Sequence, residues 1–300
     1  MLTQPSVMNK KSWIAIGVII AILSVVVYYY YIQIMPSPPS LVRHIFKVKE
    51  IYPTNPGGRE WFIDMGNPTS DGIFDPGSPI TKQSDGSWQI EGRQTNSKFG
   101  NEVRMDVNTP PGQESWKNVE ITGYAKVISA DSSDDHLDWY ARGGKYTPDA
   151  PCEGSALKGW LSIDGIASWV REIWFPGGYT DQRDKVQATH GDNPILGRWI
   201  GWKVVMYNVD NDKAVKMESY LDDQDNNHWK KVTDLVDNGG WYARGSDEEF
   251  YSSGCGKPKD YIITNSGPVA TFRSDNIIWN FADLSVREIE PRVTQSSVSP

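Results

Sequence analysis

Thirty basic residues stand against 38 acidic ones in a chain of 300, a formal charge of −8, and that balance is not built to neutralise a phosphate backbone, so nucleic acid is excluded as the expected partner. The 27 glycines and 19 prolines are more turn formers than a helical bundle accommodates, while 13 Trp and 14 Tyr against 8 Phe favour half-buried sheet faces and sugar platforms. Two cysteines, with no C-x-x-C and no Cys/His ligand spacing, leave no structural zinc or redox motif.

From Trp13 to Ile34 the chain runs 22 residues without a charge, about 33 Å of helix at 1.5 Å per residue, which spans a bilayer. Lys10 and Lys11 precede it, and Trp13 and the run Tyr28 to Tyr31 suit the two interfacial belts. The expectation is a cytoplasmic segment 1–12, a membrane anchor over 13–34 and an extracytoplasmic remainder. A cleaved signal peptide is the alternative. Its apolar core would run about 7 to 15 residues to a small-residue site, and no A-x-A follows here. Residues 35–48, which contain Pro36, Pro38 and Pro39, read as a stiff extended linker, and the tail 291–300 has no periodicity. The roughly 240 residues over 49–290 fit one β domain.

Within that domain several windows alternate apolar and polar with period two, as strands with one face in a core do. Val103, Met105 and Val107 are expected inward, with Glu102, Arg104 and Asp106 outward. Val119, Ile121, Gly123, Ala125 and Val127 form the next inner set. Leu137, Trp139 and Ala141 point inward against Asp138, Tyr140 and Arg142 outward. Trp202, Val204 and Met206 point inward against Lys203, Val205 and Tyr207 outward. Turn sequences at Asn55, Asp75, Ile163, Pro176, Asp237 and Asn265 separate the strand-like runs, and no convincing amphipathic helix of 12 residues occurs. Many short strands in one domain predict an all-β, two-sheet antiparallel sandwich or jelly roll. Cys152 and Cys255, 103 positions apart, are expected as a disulfide beyond the membrane, with two free buried thiols as the alternative.

The stretches PCEGSALKGWLSIDG, GRWIGWKVVMYN, KKVTDLVDNGGW, GPVATFRSDN and LSVREIEP resemble a group of archaeal extracytoplasmic proteins, from about Val119 to Glu290. The resemblance implies a concanavalin A-like jelly roll and brings no established activity. That fold class includes lectins, glycan-binding modules, glycoside hydrolases and polysaccharide lyases. Among them the alginate-type lyases are similar at Glu102-Val103-Arg104, at Lys203 with Tyr207 and Asn208, and at Gln187 with His190. The leading arginine of the first lyase motif is lacking before Asn101, valine stands where the second has glycine, and the third carries one residue too many.

Lyase action on a uronate needs a neutraliser for the carboxylate, a base for the C5 proton and an acid for the leaving oxygen. Arg104 and Arg142 are candidates to bind the acid group, Tyr207 or Tyr140 to move the proton and His190 to assist; ion pairs and hydrogen bonds over an exposed sheet are the alternative for these residues. Glycoside hydrolysis needs two carboxylates about 5 to 9 Å apart, for which Glu102 and Asp106 are candidates, but the E-x-D-x-x-E pattern of concanavalin-like glucanases is absent. Asp223, Asp225 and Asn227 have the oxygen spacing of a calcium loop, with Asp234 at its twelfth position, while His228 stands where that loop wants glycine; a solvated acidic hairpin is the alternative. The first expectation is a membrane-anchored glycan-binding domain in which Glu102, Arg104, Tyr140, Arg142, Lys203 and Tyr207 line one groove for a polysaccharide, with no required cofactor. The second is a polysaccharide lyase using Tyr207, His190 and Arg104, and the third an envelope scaffold without a ligand.

Overall fold

The structure is a computed structural model that describes residues 48–92, 102–144, 150–175 and 177–291. The anchor expected over 13–34, nearly all of the linker, the tail after 291, Asn101 and Pro176 lie outside the described residues. Among those described, no helix is long and apolar enough to cross a membrane.

The alternating windows become strands. In chain order they are β1 (Glu60–Phe62), β2 (Phe74–Asp75), β3 (Ile80–Lys82), β4 (Trp88–Glu91), β5 (Glu102–Asn108), β6 (Val119–Ser129), β7 (His136–Gly143) and β8 (Ala156–Ser162). There follow β9 (Ile166–Glu172), β10 (Arg183–Gln187), β11 (Trp199–Val209), β12 (Ala214–Asp222), β13 (Lys230–Asp237), β14 (Val269–Asp275) and β15 (Ile278–Glu288). They form two antiparallel sheets. One has eight strands in the order β13-β12-β11-β6-β15-β4-β3, with β1 also on β15, and the other has seven in the order β10-β9-β8-β7-β14-β5-β2. The chain alternates between sheets from β4 to β7 and returns at the end to insert β14 and β15 into their centres, the winding of a jelly roll.

The inner sets expected from the alternation meet between the sheets. Val103, Met105, Ile121, Leu137, Trp139, Trp202, Val204 and Met206 all belong to one buried cluster, joined by Trp169, Phe272 and Trp279. Burying that much aromatic surface is the main driving force for closing the sandwich. A smaller cluster of Ile173, Trp174, Ala243 and Phe250 packs beside it, with Cys255 at its margin. Phe250 comes from a short helix, α1 (Asp247–Tyr251), whose N-cap Ser246 accepts from the Glu249 N–H at 3.1 Å. Cys152 and Cys255 form a disulfide, as expected, and tie this cluster to the start of β8.

One expected outward residue turns inward. Arg142 adopts a φ of +78°, and the β7–β14 register shifts beside it, so a bulge aims its side chain away from the outer face. Arg142 is fully buried, donating to Asn208 Oδ1, to the Ile263 carbonyl at 3.0 Å and to Asn118 Oδ1 at 3.3 Å. Asn208 lies on β11, so this guanidinium links the two sheets rather than meeting a ligand. Burial pulls it down to about 9.

Candidate functional site

The six residues expected in one groove are divided between the two outer faces and the interior. Period-two alternation says whether a side chain faces the core, not which sheet carries it. Lys203 and Tyr207 lie on the eight-stranded sheet, where the segment 49–54 runs across the outer face. Lys203 Nζ donates to Glu120 Oε1 at 2.5 Å and to the Lys49 carbonyl at 2.6 Å. Glu120 Oε2 accepts from the Ile51 N–H at 3.0 Å, and Arg287 reaches Oε1 at 2.9 Å. Lys203 is 0% exposed, and burial pushes its ammonium down even with Glu120 beside it. Tyr207 packs edge-on against Tyr52 and shares a 3.3 Å hydroxyl contact with it. Both side chains are sealed beneath the chain's own strap, so neither reaches a polysaccharide. His190 is exposed in the loop after β10, beside Arg198 and Asp223, and is not grouped with Arg104.

The calcium spacing is also used otherwise. Asp223 pairs with Arg198 at 2.5 Å, and Asn227 Oδ1 accepts from the Lys49 N–H and from Trp229 Nε1, both at 2.8 Å. Asp222 accepts from the Asn226 and Asn227 N–H groups at 3.2 and 2.6 Å, and Asp225 and Asn227 take positive φ. These bonds shape the β12–β13 hairpin turn, with Asp234 engaged by Lys231 at 3.0 Å. Among the described residues no group of three His, Cys, Asp or Glu side chains is placed to hold a metal.

Glu102, Arg104 and Tyr140 do share a surface, the outer face of the seven-stranded sheet. The registers line up Arg104, Arg273, Asp138, Trp160 and Ser168 across β5, β14, β7, β8 and β9, four strand steps or roughly 19 Å. The charges in and beside that row are paired. Glu102 takes Arg104 and Arg273, each at 2.8 Å, and Arg273 also holds Asp275 at 2.7 Å. Lys158 Nζ sits 2.8 Å from Glu172 and 3.6 Å from Asp138, over the rings of Tyr140 and Tyr179 at 4.9 and 5.2 Å. Burial opposes the charge on Lys158, but Glu172 and Asp138 outweigh it and hold the ammonium above the usual lysine range. Burial pushes the Tyr140 phenol up to about 12, so near neutral pH it is a hydrogen-bond donor and not a base. Asp106 accepts from Thr271 Oγ1 at 2.7 Å.

Along the same face toward β10 lies an open cleft of about 270 Å³. Its floor is the stacked ring pair of His136 and Trp160, with centroids 4.0 Å apart and planes at 23°. Ser162, Ile166 and Ser168 flank the rings, and Asp134, Asp164, Gln182 and Lys185 complete the lining. Asp164 Oδ1 accepts from Ser162 Oγ and from the Ile166 N–H at 3.2 Å, which fixes that wall. Trp160 Nε1, in the floor itself, lacks a hydrogen-bond partner among the described residues, as do the carboxylate oxygens of Asp138, whose charge is met by Lys158 at 3.6 Å. Trp160 and Asp138 are direct cross-strand neighbours. Neither His136 nor Trp160 was singled out above, although Leu157, Gly159 and Leu161 alternate with Lys158, Trp160 and Ser162. A tryptophan on the outward phase of a strand was the available signal.

No family model matches the sequence, and no curated protein matches it. Solved structures do align. An alginate lyase variant in complex with an alginate tetrasaccharide is 14% identical over 77% of this chain and 93% of its own, with a TM-score of 0.40. Peanut lectin with a 9mer peptide is 10% identical over 78% and 99%, at 0.38. A legume lectin-like domain from Entamoeba histolytica is 10% identical over 73% and 92%, at 0.39. What the fold and face of this chain define is an all-β, two-sheet antiparallel sandwich that carries a polar cleft floored by stacked aromatic rings.

Proposed function

We propose that the protein is a membrane-anchored, extracytoplasmic carbohydrate-binding protein whose site is the cleft over His136 and Trp160. The observation that carries this is the ring pair itself, a half-buried aromatic platform walled by hydroxyl, amide and carboxylate groups. A sugar ring offers C–H faces to such a platform and hydroxyls to such walls, so apolar contact supplies affinity and the polar groups fix orientation. The segment 13–34 serves as the anchor in this reading. The Cys152–Cys255 disulfide supports placement in an oxidising compartment.

The test is a glycan array probed with the full-length chain in detergent, beside Trp160→Ala. Trp160 lies on the outer face and not in the core, so the variant keeps its circular dichroism spectrum while binding falls at least tenfold. If Trp160→Ala binds the same glycans as tightly as the parent, the cleft is not the site.

A further inference from the structure

We infer that the cleft takes a neutral saccharide and does not take a uronate. This rests on the carbohydrate-binding reading and names the substrate class of the same site. The first support is that the cations of the face are already engaged. Arg104, Arg273 and Lys158 contact Glu102, Asp275, Glu172 and Asp138 at 2.7 to 3.6 Å. With Asp106, three cations face five carboxylates, a local excess of two negative charges. A uronate arriving here has to compete with Glu102 and Asp275 for the arginines, or draw Lys158 away from the buried Glu172 and Asp138 and leave them uncompensated. Near the cleft, Lys185 has no ion-pair partner among the described residues. It is exposed, where a single charge binds a carboxylate weakly, and Asp134 and Asp164 line the same cleft.

The second support is the unsatisfied indole of the floor. Trp160 Nε1 is a buried donor without an acceptor among the described residues, and its cross-strand neighbour Asp138 carries a buried negative charge whose ion pair is Lys158 at 3.6 Å. Buried polar groups in folded proteins are paired as a rule, so the indole calls for an acceptor. A sugar hydroxyl accepts from it without bringing a charge. A ligand carboxylate that does so is set beside Asp138 and between the lining carboxylates Asp134 and Asp164. Neutral sugars present hydroxyls and no charge, and they match the indole as well as the walls.

The experiment measures binding of the full-length protein in detergent to a neutral glucan and a neutral mannan, to alginate and polygalacturonate, and to cationic polyglucosamine, each at low and at physiological salt. The expected result is binding of a neutral polymer with a Kd that moves less than twofold with salt, and no binding of either polyuronate. Trp160→Phe keeps a stacking ring and removes the Nε1 donor, and it weakens binding about tenfold. An unchanged Kd in Trp160→Phe removes the indole donor from recognition and overturns this support. Polyuronate binding that Trp160→Ala abolishes overturns the neutral-sugar inference and leaves the cleft as a glycan site. Salt-sensitive binding of polyglucosamine, lost in the same variant, overturns it likewise. Binding of no polymer, or binding indifferent to Trp160→Ala, overturns the carbohydrate reading beneath it.

Discussion

Gly159 sits between Lys158 and Trp160, of which Trp160 floors the cleft, and faces the opposite sheet. A Cβ placed there would lie 2.4 Å from Val204 Cγ1 on β11, and the Gly159 carbonyl accepts from Trp202 Nε1 at 3.4 Å. Glycine is required because β8 and β11 approach closely enough to exclude a methyl group. Gly159→Ala is expected to push the sheets apart and cost about 1–3 kcal/mol, the usual range for overpacking, read as a lower urea midpoint with an unchanged m-value. A destabilisation below a few tenths of a kcal/mol would show that Val204 gives way freely. Residues of the same apparent phase serve different ends elsewhere. Arg142 is turned inward by one positive φ, and Arg171 pairs with Asp237 in full burial, joining β9 to β13. Removing one partner from a buried pair of this kind is more damaging than replacing both.

The element that decides which face can work is the strap over 49–54. It uses the eight-stranded sheet as a docking surface, with Tyr52 donating to Glu218 Oε2 at 2.8 Å while Lys231 and Tyr220 reach the same carboxylate at 2.6 and 2.8 Å. Burial pushes Glu218 up, but the bonds from Lys231, Tyr52 and Tyr220 overcome it and hold the carboxyl below its ordinary value. An acid depressed in the folded state adds stability above its unfolded pKa, about 4.3 for Glu, and that stability is lost as pH falls through the lower folded value. The urea midpoint should therefore fall as pH drops below about 4.3, and Glu218→Gln should start lower at pH 7 and show a shallower acid slope. An unchanged slope in the variant would assign the acid sensitivity to other carboxylates. The strap also explains why Lys203 and Tyr207 look like site residues in the sequence. Their outward phase is real, but the chain covers its own outward face, and no local pattern in 199–209 announces a segment arriving from 150 residues earlier.

At the scale of the molecule, what was legible is what periodicity encodes. Val103, Ile121, Leu137 and Trp202 fall on the core side because a strand repeats every two residues, whatever its neighbours. Sheet membership is a long-range property, so the similarity of Glu102–Arg104 and of Lys203–Tyr207 to motifs of one lyase groove did not place them together; β5 and β11 belong to opposite sheets. Cysteine pairing, by contrast, needed only the count of two. That bond closes 103 residues and joins the start of β8 to the cluster around Trp174 and Phe250, beside the proposed glycan face. Closing so long a loop stabilises by up to about 4.7 kcal/mol in the chain-entropy model, typically 2–4, and disulfides are rare where cytosolic reductants reach. Anchor, compartment and stability are thus linked in one prediction. In intact cells, thiols trapped by alkylation before lysis should show both cysteines unlabelled until reductant is added, and a C-terminal tag should be cleaved by external protease. The purified protein should then lose several degrees of thermal midpoint on reduction. Both thiols labelled in the cell and a protected tag would place the domain on the cytoplasmic side, and glycans of the cell exterior would no longer be its ligands.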